Sequence, residues 1–208
     1  MVALIDYGVG NLYSLRCSFA AIGEDAIVTG DPEEVLRADR VILPGVGAFG
    51  DAARKLRESG MDRAVLEAVA MGKPLMGICL GMQLLFERSL EYGEHAGLGL
   101  LKGEIRPIAE RIPKHLKIPQ MGWNALIFKK ASPLLRYVRE GEYVYFVHSY
   151  SAVGCEESLL ATAEYGTELT ACVGEGNVLG CQFHPEKSGN TGLRILKAFC
   201  EMEQEKKA

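Results

Sequence analysis

The chain is 208 residues long, 48% hydrophobic and 24% charged, with a formal net charge of -4. This length and apolar content suit one domain over residues 1–208 with a sizeable buried core, and they exclude an extended disordered chain. The acidic balance argues against a nucleic-acid partner, because neutralising phosphates takes clustered Lys and Arg; with no apolar run near the ~20 residues of a membrane span and no signal-peptide pattern, the expectation is no membrane and a cytoplasmic location.

In chain order, the first half alternates apolar runs with amphipathic segments: a strand over 2–5, a helix over 12–22, a strand over 26–28, a helix over 32–38 and a strand over 40–43. A helix over 62–71 and a buried strand over 74–78 continue the rhythm, which predicts an α/β fold with a parallel sheet, helices on both faces and functional residues at strand carboxyl ends. Spacing at Leu84, Leu85 and Arg88 predicts a helix from Leu80 to Arg88. The second half is β-rich, with strands over 118–128, 143–150, 159–165, 169–173 and 178–183 and a hairpin loop over 174–177. Leu193, Leu196, Phe199 and Cys200 predict a final helix over 192–203 that closes one face, with the Lys and Glu of 201–207 as its solvated end.

The most informative stretch is Gly77-Ile78-Cys79-Leu80-Gly81-Met82-Gln83. Cys79 stands between a strand and a helix, and flanking glycines allow the tight bend that exposes a nucleophile, as in the Gly-x-Ser-x-Gly elbow. The amide-rich end of the following helix favours the thiolate. The other cysteines, 17, 155, 172, 181 and 200, form no Cys-x-x-Cys pair, so neither a metal site nor a disulfide framework is expected.

A cysteine nucleophile needs a base, and the histidines are 95, 115, 148 and 184. His184, in Gln182-Phe183-His184-Pro185-Glu186, follows an apolar strand, and Pro185 keeps it extended. In an extended chain residues two apart share a side, so Glu186 is expected to orient the His184 imidazole. His148 reads as a structural histidine. Attack on an amide builds charge on oxygen: the Leu80 N–H is one expected donor, and Val46 or Gly47 of Pro44-Gly45-Val46-Gly47 supplies the second. These residues alone do not choose an amide, since the same constellation serves peptidases and esterases.

The segments around Cys79 and His184 resemble the two signatures of class I glutamine amidotransferases. The blocks 5–12, 44–49, Gln120-Met121-Gly122-Trp123-Asn124, 145–150 and His184-Pro185-Glu186-Lys187-Ser188 resemble, more narrowly, the glutaminase subunits of imidazole glycerol phosphate synthase. The resemblance implies a flavodoxin-like three-layer sandwich with a mostly parallel central sheet and a β-rich second half. It implies glutamine hydrolysis through a Cys79 thioester, with no cofactor, and passage of ammonia to a separate cyclase subunit, a (β/α)8 barrel. By position it places Gly47, Gln83, Ser149 and Tyr150 around glutamine, and Asn11, Trp123, Tyr145 and Lys187 toward the cyclase. Trp123 and Tyr145 fit a buried strand as readily as an interface. Competing readings are the amidotransferase subunit of another pathway, a γ-glutamyl hydrolase, and a non-catalytic binding subunit.

Overall fold

The computed structural model describes residues 1–203. The amino-terminal half runs β1 (Val2–Ile5), α1 (Leu12–Ala21), β2 (Ala26–Thr29), α2 (Pro32–Arg37), β3 (Arg40–Leu43), α3 (Phe49–Glu58), α4 (Met61–Ala70), β4 (Leu75–Ile78) and the single turn α5 (Leu80–Gln83). There follow β5 (Phe86–Ser89), β6 (His95–Ala96), β7 (Leu101–Pro107), β8 (Gln120–Phe128), β9 (Tyr143–His148), β10 (Tyr150–Val153), β11 (Leu159–Glu164), β12 (Glu168–Glu175), β13 (Val178–Cys181) and α6 (Gly189–Cys200). Local chemistry sets several boundaries. Asp31 accepts the Glu33 N–H at 2.9 Å with Pro32 behind it, which starts α2, and Asn11 accepts the Ser14 N–H to start α1.

Among the described residues the main sheet has the order β2-β1-β3-β4-β13-β12-β11-β8-β9. From β2 to β13 every neighbouring pair is parallel, and from β13 to β9 every pair is antiparallel. The expected mostly parallel sheet is therefore parallel in only one part, because β11, β12 and β13 are joined by turns too short for a crossover helix. The predicted hairpin is present, with Glu175 opposite Val178.

Strand residues alternate between two buried clusters. Ala3, Ile5, Val41 and Leu43 face one cluster with α2, α3 and α4; Val2, Leu4, Ile42, Met76 and Ile78 face the other with α1 and α6. Both faces are covered, so β1, β3 and β4 read as continuous apolar runs, the pattern of a central layer between helices.

Several sequence expectations change. The helix over 80–88 stops at Gln83, and Phe86–Ser89 becomes β5 of a second sheet, order β10-β7-β5-β6. The spacing of Leu84 and Leu85 reflects burial rather than helix: both are fully packed where the chain turns from one sheet to the other. The strand over 143–150 breaks at Ser149, so β9 edges the main sheet and β10 joins the second. Helix α6 ends at Cys200, and the solvated end expected over 201–207 falls largely outside the described residues. Among the described residues no helix is long and apolar enough to cross a membrane.

Candidate active site

The glycines around Cys79 are required by contact as well as by curvature. A Cβ on Gly77 would stand 2.6 Å from Gly81 O and from Met82 Cα, because α5 folds back over the end of β4. A Cβ on Gly81 would enter the Leu43 carbonyl, and one on Gly45 would stand 2.8 Å from Gly81 N. The elbow and the 44–47 loop thus pack backbone against backbone, as neighbours on parallel strands β3 and β4. Tyr7 fixes the base of that loop by donating its hydroxyl to Pro44 O at 2.8 Å, and burial and the nearby Cys79 push its phenol above its usual range.

Cys79 has φ 55° and ψ -112°, a left-handed backbone for a non-glycine residue that costs on the order of 1–3 kcal/mol. It is held by its own N–H, which donates to Cys181 O at 2.8 Å, and by its carbonyl, which accepts from Gln83 N at 3.2 Å. The sulfur is buried at the floor of a cavity of about 300 Å³ whose lining includes Gly47, Gln83, Glu91, Tyr150 and His184. The helix that follows Cys79, α5, spans a single turn rather than the expected 80–88, so its dipole is smaller than that of a longer helix.

Registry brings the second signature alongside. Cys181 pairs with Ile78 across β13 and β4, so the segment leaving β13 runs beside the elbow. His184 is extended at φ -99° and ψ 99°, as its proline predicts. Glu186 is not extended; it lies in a 3-10 turn, Pro185–Lys187, and that turn rather than a strand face carries its carboxylate back to His184 Nδ1 at 2.8 Å. Cys79 and His184 line the same cavity, and the sulfur acts electrostatically on the His184 ring. Burial works against its charged form, yet the bonds and charge of Cys79 and Glu186 outweigh burial and raise its pKa to about 9.

His148 also reaches the cavity but is differently placed. Its Nδ1 faces Tyr150 O at 2.7 Å and its Nε2 faces Gln120 Oε1 at 2.9 Å, while burial lowers its pKa to about 4 and keeps it neutral. Val46, Gly47, Leu80, Gln83, Ser149 and Tyr150 all line the cavity. Gly47 has φ 94°, a conformation that glycine adopts without strain. Gln83 is engaged with protein: its Nε2 donates to Tyr150 O at 3.1 Å and to Gln182 Oε1 at 3.0 Å.

Sequence reasoning missed Glu91. It is 8% exposed, lines the cavity and accepts the Phe49 N–H at 2.7 Å, while burial raises its pKa above the usual carboxylate range. It lies just after β5, a strand the sequence pattern concealed, and so had no signal of its own. Gln182 was visible in the signature but carried no assigned role; it is fully buried, and its Nε2 donates to Cys79 Sγ at 3.7 Å.

The four residues expected toward a partner do not enter the cavity lining. Trp123 is 52% exposed and meets Tyr145 edge to face at 6.0 Å between ring centres. They are register partners across β8 and β9, on the same face as Met121 and Tyr143, both exposed. Trp123 is therefore not a core residue. Lys187 is exposed, and Asn11 serves as the cap of α1. Tyr145 is tied to the site through its backbone, accepting from His184 N at 2.9 Å and donating to Ser188 Oγ at 2.9 Å.

The sequence profile of the class-I glutamine amidotransferases matches residues 3–202. The imidazole glycerol phosphate synthase subunit HisH of Wolinella succinogenes is 53% identical over 204 residues, covering 97% of this chain and 100% of that protein. Its namesake in Oceanobacillus iheyensis is 49% identical over 203 residues, and that in Bacillus subtilis is 50% identical over 210. Among solved structures, a glutamine amidotransferase superposes with a TM-score of 0.75 over 97% of this chain at 21% identity, and PurLQS from Thermotoga maritima with 0.72 over 96% at 22%, likenesses that concern the fold.

Proposed function

As this chain belongs to the class I glutamine amidotransferases and, within them, to the glutaminase subunits of imidazole glycerol phosphate synthase in histidine biosynthesis, we propose that it hydrolyses glutamine at Cys79. Cys79 Sγ attacks the carboxamide carbon of glutamine. With its pKa at about 9, His184 holds at neutral pH the proton that the leaving nitrogen requires, and Glu186 keeps the ring in place and charged. Ammonia departs with that proton, leaving a γ-glutamyl thioester. Water then attacks the thioester with His184 as base, and glutamate leaves as the sulfur is restored.

The developing oxyanion is received by the Leu80 N–H and by an N–H of Val46 or Gly47. Gly47, Gln83, Ser149 and Tyr150 surround the bound amino acid, and the buried Glu91 carboxylate meets its α-ammonium. An ammonium is the partner that offsets the cost of holding a carboxylate in so dry a place. The cavity of about 300 Å³ is at the small end for ligand sites, which suits one amino acid.

The glutaminase is one domain, 1–208, and the acceptor chemistry lies on a cyclase subunit, a (β/α)8 barrel, to which ammonia is delivered. There it yields imidazole glycerol phosphate and aminoimidazole carboxamide ribotide. Trp123 and Tyr145 supply the aromatic centre of the subunit interface, with Asn11 and Lys187 beside it. The backbone bond between Tyr145 and His184 gives the partner a route to the site, and reorientation of the 45–47 peptide gives it a step to control. The location is cytoplasmic, in keeping with the free cysteines.

The observation that carries this reading is the convergence of Cys79 and the Glu186-bonded His184 on one cavity. The test is Cys79→Ser in complex with the cyclase. Glutamine-dependent synthesis falls by ~10³-fold or more while ammonia-dependent synthesis persists; retention of glutamine-dependent turnover overturns the assignment. Glutamate release by the lone chain is slower than by the complex with cyclase ligand, and equal rates refute the coupling.

A further inference from the structure

The polar floor of the cavity has a direction. Gln83 Nε2 lies 3.1 Å from the Tyr150 carbonyl, which can only accept, so the nitrogen end of the Gln83 amide is the end turned toward it. The same nitrogen donates to Gln182 Oε1 at 3.0 Å, which leaves Gln182 Nε2 as the end facing Cys79 Sγ at 3.7 Å. Reversing either amide would set oxygen against oxygen or nitrogen against nitrogen among side chains from which water is excluded. A main-chain carbonyl at the start of β10 therefore decides, through two side chains, that the sulfur meets a donor.

The sulfur has an opposing neighbour. As a thiol it donates to Val147 O at 3.9 Å, a contact that turns repulsive once the proton has gone. The Gln182 N–H does the reverse, because a hydrogen bond to an anion is stronger than one to a neutral acceptor. Between them they make the Gln182 amide the contact that favours the charged nucleophile.

We propose that Gln182 is a catalytic residue whose side-chain N–H stabilises the anionic sulfur of Cys79, with Gln83 as the positioning residue that points it there. The proposal rests on the reading of Cys79 as nucleophile. It assigns Gln83 a duty toward the sulfur in addition to its place in the cavity wall, and it makes the second sheet, through Tyr150, part of nucleophile activation.

The test is alkylation of Cys79 by iodoacetamide in the complex with the cyclase, without glutamine, followed by mass spectrometry of the Cys79 peptide across the neutral and alkaline range. The titratable groups facing the sulfur, namely His184, Glu186 behind it, Tyr7 and Cys181, are unchanged in every variant. Gln182→Met lowers the rate at neutral pH about tenfold and moves the profile to higher pH, the loss expected for one hydrogen bond to a charged group. Gln83→Met moves both in the same direction by a smaller amount. The double variant equals Gln182→Met alone, because Gln83 acts through Gln182. A wild-type profile in folded Gln182→Met, or additive losses in the double variant, overturns the proposal. Should Gln182→Met not fold, Gln83→Met carries the decision: an unchanged profile overturns the proposal and a shift to higher pH supports it. Cys79→Ser separates this from the underlying reading, since hydrolysis surviving in that variant removes the nucleophile itself whatever the alkylation profiles show.

Discussion

A single methyl group at Gly81 should disable the site without touching any reacting group. Its Cβ would enter the Leu43 carbonyl and stand 2.7 Å from Leu43 C and 3.1 Å from Pro44 C, all rigid backbone atoms. Carbon contacts settle at about 3.5–4.0 Å, so the end of β3 or the elbow must yield by about 1 Å. Overpacking of this kind costs about 1–3 kcal/mol, and a 1 Å misplacement of catalytic groups costs ~10²-fold in rate. The displaced backbone leads directly into the 44–47 loop, so activity should suffer more than stability. Gly174→Ala is the control: the nearest atoms to its Cβ are the terminal methyls Leu160 Cδ1 and Leu179 Cδ2 at 2.8 Å, which can rotate away. Steady-state glutaminase assays of the complex, paired with thermal melts, read both effects. Turnover within twofold of wild type in a folded Gly81→Ala protein, set beside about a hundredfold expected, would refute the claim that backbone contact between elbow and loop sets the geometry.

Glu186→Gln should lower glutaminase turnover by about 10²–10⁴-fold, measured with the cyclase present, since the imidazole loses its orienting charge. The same variant tests linkage: the raised His184 pKa, about 9 against an ordinary 6.5, gives wild type a stabilisation that is full below about 6.5 and lost as pH rises through about 9. Denaturant melts should therefore show the gap between wild type and Glu186→Gln widest in acid and closed in alkali. Glu91→Gln should raise KM for glutamine about 10–100-fold, and wild-type KM should climb as pH falls through the upward-shifted Glu91 pKa; a KM that ignores both changes removes Glu91 from the binding wall. Trp123→Ala should weaken cyclase binding by about 2 kcal/mol, near 30-fold in Kd by titration calorimetry, with stability changed by under about 0.5 kcal/mol because the ring is half exposed.

Local rules made much of this protein legible. Helix and strand periods located β1, α1, β2, α2, β3, α4 and β4 to within a residue or two, because each is short, bounded by turn residues and patterned by its own burial. The helix α3 passed unread, and so did the second sheet, whose strands bury residues against other elements instead of alternating cleanly; the segment 84–88 even mimicked a helix through Leu84, Leu85 and Arg88. Of the site, local pattern carried the parts that backbone chemistry demands: glycines where chain meets chain at the elbow, a cysteine between them, and a histidine held extended by proline. The remainder depends on distant segments meeting. Pairing of β4 with β13 set His184 beside Cys79; a 3-10 turn, not strand alternation, delivered Glu186; the end of β5 brought Glu91 to the cavity; and the carbonyl of Tyr150 oriented Gln83 and, through it, the Gln182 amide that meets the sulfur. Periodicity reports which face of an element is buried, whereas these contacts depend on which strand lies next to which, a property of the whole sheet that no local pattern carries.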